Sequence, residues 1–409
     1  MSIEKTLSTG SRKLFERNSH VVRKGSNTYR FMCPDIEMYN AQWLWDSCFH
    51  IFARRWMDID FARDEFISLL SGQWENGMIP NMVHINTLKF RIAHFTGRDT
   101  SGITQPPLVA DAAWSIYQIE KDKGFLKRIF QPLVRYYDWL LVDRDDDGDS
   151  LISVYHPWET GIDNSCRWDS IFGEDPEKFR RWKFNIPKTY LIFRFNFAGY
   201  TSKKMKAASF FNVEAVDMNC YLYKNLITLS RIADEIGKDG ESARLKHNAS
   251  KVKKAVLDKM WNEKKGAFFD LEGSTERQLK VLTPFALMPL YAGLVDDDTA
   301  KILIEHIENP DEFDCRYPIP TVEMKHPGFR TYEYWRGTTW VNINWLLIQG
   351  LRRYGRDDLA TKISDRTLDM VYKSGFREFY NPFNGNGHGA KHFGWSTLVL
   401  DLINSDNYI

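Results

Sequence analysis

Short and long links alternate between the helices of this sequence, and few folds accept that rhythm. Apolar residues at helical spacing predict helices over 4–18, 41–56, 61–73, 107–122, 125–143, 215–236, 242–262, 282–292, 297–308, 337–353, 357–374 and 394–404. Pro106 and Pro107 precede the fourth, Gly237 follows the sixth, and Gly355 and Gly375 follow the tenth and eleventh. From the second helix on, links of about 2 to 5 residues alternate with links of roughly 20 to 70, where about 4–6 is usual. A short link makes an antiparallel hairpin, so every long link emerges at one end of the molecule. Five hairpins follow, and the last helix can pair with the first to make a sixth. Closed in a ring, they form an all-α (α/α)6 barrel with an inner and an outer layer. An open α-solenoid satisfies the same helix count. The expectation is a single catalytic domain over 1–409, with 144–214 a long insert holding some strand or helix of its own and a candidate lid.

Charge and cysteine usage exclude several classes. With 55 Lys+Arg against 54 Asp+Glu the net charge is +1, which offers no footprint for nucleic acid or an anionic membrane. No apolar run approaches a membrane span, and the first residues lack the apolar stretch of a signal peptide. Cys33, Cys48, Cys166, Cys220 and Cys315 show no CxxC spacing, so free thiols in the cytoplasm are expected. Neither cofactor nor metal is called for, and the chain is expected as a monomer or homo-oligomer.

Aromatic content is high, at 14% with 14 Trp, 18 Tyr and 27 Phe. The long links concentrate it: GMIPNMVH (77–84), TGRDTSGITQPP (96–107), YHPWETGIDNSCRWD (155–169), HPGFRTYEYWRG (326–337) and REFYNPFNGNGHG (377–389). Aromatic faces stack on sugar rings while carboxylates and amides bond hydroxyls, so the composition suits a small carbohydrate. Glu159, Asp163 and Asp169 are three acids among tryptophans, where a desolvated carboxyl gains a raised pKa. Asp163-Asn164-Ser165 also reads as a helix cap or turn. Glu378 lies in a loop rich in turn formers, and the two acids fit the carboxyl pair that glycoside hydrolysis requires. Asp46 could simply favour a helix N-terminus, and Trp340 and Asn344 could be one helix face. In DRDDDGDS (143–150), Asp143, Asp145, Asp147 and Gly148 stand in calcium-loop register, but the twelfth position is Val154 rather than Glu. A solvated acidic turn is the expected reading.

Taken together, QWLWDSCFH, GMIPNMVH, QPPLVADAAW, HPWETGIDNSCRWD, YWRGTTWVNINWL and FREFYNPFNGNGHGAKHFGWST resemble glycoside hydrolase family 63. The likeness is closest to its compact mannosylglycerate and glucosylglycerate hydrolases, and runs from about Tyr39 to Trp395. It implies an (α/α)6 barrel and an inverting mechanism on α-linked sugars. Asp163 matches the family's general acid and Glu378 its general base. Trp45, Asp46 and Trp158 would hold the cleaved sugar; Tyr334, Trp335 and Trp340 match the aromatic wall and Arg336 the arginine within it. Tyr39, Trp43 and Gln105 match substrate contacts of members with small substrates. The Arg-Pro-Thr stretch that helps bind a glycerate carboxylate is missing; Arg194 and Tyr200 have its spacing but other neighbours. The substrate expected is a small α-glucoside or α-mannoside of glycosylglycerate type, with a neutral α-gluco-oligosaccharide as alternative. A sugar epimerase using His388 and His392, or a binding scaffold without turnover, are the rivals.

Overall fold

A computed structural model describes residues 2–24, 27–83, 96 and 98–405. His84 and Gly97, which belong to two of the quoted stretches, lie outside them. The helices sort into two layers by how much of their surface is buried. In α2 (Leu44–Arg54) every residue is buried, and α4 (Val109–Glu120), α8 (Val216–Glu235), α10 (Met288–Ala292) and α12 (Val341–Arg353) are buried on most of their surface. A helix buried nearly all round has no solvent side, so these form the inner wall. In α9 (Asp239–Ala255) only Ser242, Leu245, Ala249, Val252 and Ala255 are buried, a single stripe at helical spacing. It belongs to the outer layer with α1 (Ile3–Asn18), α3 (Ile59–Leu70), α5 (Lys123–Asp143), α11 (Asp297–Glu308) and α13 (Asp357–Ser374).

The inner elements touch in the order α2, α4, α8, α10, α12 and then a 3-10 turn, Gly394–Leu398, that leads into α14 (Val399–Ser405). That turn packs back on α2, and α1 packs on α14. First and last inner elements are neighbours, so the ring closes as an (α/α)6 toroid, which an open solenoid would not do. Asp58 and Asp296 cap α3 and α11 by accepting the amides of Phe61 and Thr299.

Two expected helices are shorter than their apolar periodicity suggests. Pro284 and Pro289 turn 282–292 into a 3-10 turn, Pro284–Leu287, ahead of α10. Expected at 242–262, α9 instead starts at Asp239, where Asp239 and Glu241 favour a helix N-terminus, and gives way to a π turn at Val256–Met260. The hairpin of β1 (Ser19–Lys24) and β2 (Asn27–Met32) was not anticipated. The 144–214 insert holds, besides short turns, β3 (Ser153–Val154), α6 (Arg181–Phe197), α7 (Ser202–Ala208) and β4 (Val213–Glu214). β3 and β4 pair antiparallel and continue through β5 (Asp270–Glu272) to β6 (Arg277–Leu279), so the insert is rooted at both ends in one small sheet. All five cysteines are free and buried. Among the described residues no helix is long and apolar enough to cross a membrane.

Candidate active site

At the loop end of the toroid lies a cavity of about 270 Å³, continuous through shared residues with an outer one of about 400 Å³. Both are lined by Tyr39, Asp163, Tyr334 and Glu378. The inner chamber adds Trp43, Trp45, Asp46, Gln105 and Trp158, and also Asn81 and Trp395. Its walls are largely aromatic, which suits the apolar faces of a sugar ring. The outer chamber adds Arg181, Asn185, Lys188, Tyr332 and His388, and is polar and cationic.

The segment 155–169 shows how one acid of three is left for chemistry. Glu159 is paired with Arg144 at 2.5 and 3.0 Å and also accepts the Tyr155 amide. Asp169 is held by both terminal nitrogens of Arg336, at 2.7 and 2.8 Å. Both are neutralised in place, as buried charges must be. The helix cap belongs to Ser165, whose hydroxyl accepts the Arg167 amide, and Asn164 accepts the Trp335 amide. Asp163 is therefore not spent on capping and faces both chambers. The turn before it needs Gly161, with φ +71°, where a Cβ would strike the Trp45 ring.

Burial pushes the Asp163 carboxyl up to about 6, with Lys188 and then Arg181 pulling it down. The Lys188 amine donates to the Asp163 carbonyl at 3.1 Å. Burial lowers that amine to about 8, with Asp163 opposing the fall. His156 ties the two elements together: its Nδ1 accepts the Trp158 amide and its Nε2 donates to the Lys188 carbonyl, both at 3.0 Å.

Glu378 is 1% exposed. Its Oε1 accepts the Tyr39 hydroxyl and its Oε2 the Ala390 amide, both at 3.0 Å. Burial nevertheless raises it to about 7, the Ala390, Tyr39 and Tyr334 bonds working against the rise. Gly389, at φ +64°, lets the chain pass, since a Cβ there would collide with Oε2. Asp46 stands at the first turn of α2 and is almost fully buried; desolvation keeps it well above the usual carboxylate range. Its carboxyl lines the inner chamber.

Sequence reasoning anticipated ten contacts around the acid pair, and seven line the chambers: Tyr39, Trp43, Trp45, Asp46, Gln105, Trp158 and Tyr334. Trp335, Arg336 and Trp340 line neither chamber. Trp335 and Trp340 stack at 3.5 Å, and Trp340 backs Tyr334, which is held at φ +42°. Arg336 is fully buried and donates to Asp169 and to the Asn164 carbonyl. It clamps the Asp163 turn from behind instead of meeting solvent. Arg194 and Tyr200 also lie off the chambers; Tyr200 packs edge-on against Trp74. Of the two histidines, His388 lines the outer chamber and His392 lines neither. The missed residues include Asn81, Tyr332 and Trp395, each inside a quoted stretch, and Arg181, Asn185 and Lys188 on α6, which no motif marks.

A two-layered helical toroid with paired carboxyl groups over an aromatic chamber is the architecture of a glycosidase. The family model described as a mannosylglycerate hydrolase MGH1-like glycoside hydrolase domain matches residues 39–396. A mannosylglycerate hydrolase of Rubrobacter radiotolerans is 28% identical, over 92% of this chain and 93% of its own length. A glucosylglycerate hydrolase of Mycolicibacterium hassiacum is 27% identical, over 90% and 92%. The solved family 63 mannosylglycerate hydrolase of Thermus thermophilus in complex with Tris and D-glycerate superimposes with a TM-score of 0.88 at 28% identity, covering 97% of this chain and all of that one. The chain belongs to this MGH1-like branch of glycoside hydrolase family 63 and is a glycoside hydrolase.

Proposed function

We propose that the enzyme hydrolyses a small α-glucoside or α-mannoside with an anionic aglycone of glycerate type, with inversion, Asp163 acting as general acid and Glu378 as general base. The carrying observation is that these two carboxyl groups are shared by an aromatic chamber and a cationic one. The sugar fits the aromatic chamber and the aglycone the cationic one, where Arg181 and Lys188 supply charge-assisted bonds to a carboxylate. Asp163 is the acid whose charge those two cations act on, so it is the one beside the leaving group. Glu378, fixed by Tyr39 and Ala390, holds the water on the other face.

Without ligand, burial raises both carboxyls, Asp163 to about 6 and Glu378 to about 7, and Lys188 and Arg181 hold Asp163 down. An aglycone carboxylate seated between Arg181 and Lys188 cancels the charges that hold Asp163 down. Its pKa rises, and the proton moves to where the leaving oxygen needs it. The substrate's own charge then completes the acid, which favours anionic glycosides over neutral ones.

The test is sugar release from glucosylglycerate, mannosylglycerate, kojibiose, nigerose, trehalose and maltose, with NMR reading the first anomer. The expected result is β-sugar from a glycosylglycerate, with kcat/KM rising with pH through about 6 and falling through about 7. First release of the α-anomer would overturn inversion, and preference for a neutral disaccharide would overturn the anionic aglycone. Lys188→Met and Arg181→Met should each cut kcat/KM for the anionic glycoside by roughly 10- to 100-fold, the worth of a charge-assisted bond. Activity on a neutral glycoside should change far less. Equal losses on both substrates would remove these residues from the aglycone site.

A further inference from the structure

The insert helix α6 is apolar on two faces, and only one of them is buried. Phe184, Leu191, Ile192 and Phe195 pack inward, and Lys188 goes in with them. On the opposite side Trp182, Ile186, Tyr190, Phe193 and Phe197 are between 54 and 77% exposed. At about 100° per residue these five fall within about 80° of one another, a straight row along the helix. Among the described residues no other helix exposes more than one large apolar side chain. Scattered exposure of that kind is ordinary, whereas a contiguous row marks an interaction surface.

The spacing of the row says what covers it. Counted from a point between Thr189 and Tyr190, Trp182 and Phe197 stand equally far out, and so do Ile186 and Phe193. Turned end for end, the row keeps its pattern. A two-fold contact requires this, because each side must match its own image. In an antiparallel pair of these helices, Trp182 meets Phe197 of the partner subunit and Ile186 meets Phe193 of the partner subunit. Tyr190 then stands at the axis. The area suffices as well. Four aromatic side chains of about 150–250 Å² each, more than half exposed, present roughly 500 Å² before Ile186 is added. A standard interface covers about 800 Å² per partner, and the polar rim of the helix supplies the remainder.

A lipid surface fits the row less well. So narrow a stripe is the seam of a two-helix contact, not the broad face that sinks among headgroups. The cations of α6 are also engaged already. Arg181 pairs with Glu333 at 2.6 Å and Lys183 with Glu174 at 3.3 Å. Lys188 donates to the Asp163 carbonyl, and Arg194 lies over the Tyr190 ring at 5.8 Å.

We propose that this row is the two-fold interface of a homodimer, with the two α6 helices packed antiparallel. The partner supplies no residue to the cavity. It backs a wall of it, since the same helix carries Asn185 and Lys188 to the outer chamber.

Sedimentation equilibrium of the full-length enzyme tests this, with a dimer expected at about 1 μM and above. Ile186→Lys and Phe193→Glu each enter the seam twice and should raise the dimer Kd at least about 100-fold. Both side chains are exposed, so neither change disturbs the core. Mixed in equal amounts, the two variants should dimerise again. The new lysine of one then meets the new glutamate of the other, and the remaining contacts are those of the wild type. A wild type that stays monomeric up to about 100 μM would overturn the interface. So would variants that dimerise as the wild type does. Two monomeric variants that fail to pair with each other would overturn the antiparallel register. A monomeric wild type that sediments with phosphatidylserine-containing vesicles would give the row to a membrane surface instead.

Discussion

Asp163→Asn and Glu378→Gln should each lower kcat by at least about 10²- to 10⁴-fold, with KM little changed, because each removes a proton transfer made in the transition state. Neither should cost stability. Burial already pushes both carboxyls up, to about 6 and about 7, so the fold gains nothing from their charge and an isosteric amide relieves a desolvation cost. The melting temperature is expected to stay level or rise. The two roles separate by leaving group. An activated aryl glycoside departs without a proton, so Asp163→Asn should recover much of its loss on such a substrate. Glu378→Gln should not, because water must be activated whatever leaves. Turnover within tenfold of wild type in either variant on the natural-type substrate would sink the assignment.

Arg167→Met should cost about 3–5 kcal/mol of stability, the usual result of removing one member of a buried ionic cluster. Arg167 is almost fully buried between two acids: its Nη1 lies 3.0 Å from both Asp217 and Asp270. Asp270 in turn accepts the Val216 amide at the first residue of α8. Removing the guanidinium leaves two carboxylates facing each other without a counter-charge, which is where the cost lies. Urea unfolding would measure it. Adding Asp217→Asn and Asp270→Asn to Arg167→Met should restore most of the loss, since no charge is then stranded. A loss below about 1 kcal/mol in the single variant would mean that water or a rearranged side chain replaces the arginine. The same cluster fastens the 155–169 segment to the inner wall, so kcat should fall with stability in the single variant.

Much of this architecture is legible in the sequence. Helical periodicity marks where the helices lie, while the structure shows which are buried on every side, as LWDSCFHIFAR is, and which along a single stripe, as α9 is. The linkage lengths placed the loops at one end, the motifs within them held the candidate acids, and the family resemblance singled out Asp163 and Glu378 among them. Those features depend on residues a few positions apart. Ring closure does not: it rests on Gly394–Leu398 meeting α2 across the length of the chain.

The same division runs through the site. Glu159, Asp163 and Asp169 are equivalent as letters in a motif. Their fates differ because Arg144 reaches the first and Arg336 the third, while Asp163 has the cavity in front of it. Arg336 looked like a sugar contact and is a buried clamp; Lys188 and Arg181 carried no motif and stand over the acid. Sequence by itself determined where helices form, which end carries the loops, and which residue types the loops hold, because those follow from local periodicity and composition. Only the tertiary structure decided which acid keeps a free carboxyl, which cations surround it and which aromatic rings meet solvent. Burial and ion pairing are set by what packs against a side chain, and here those partners lie as far as 339 residues away.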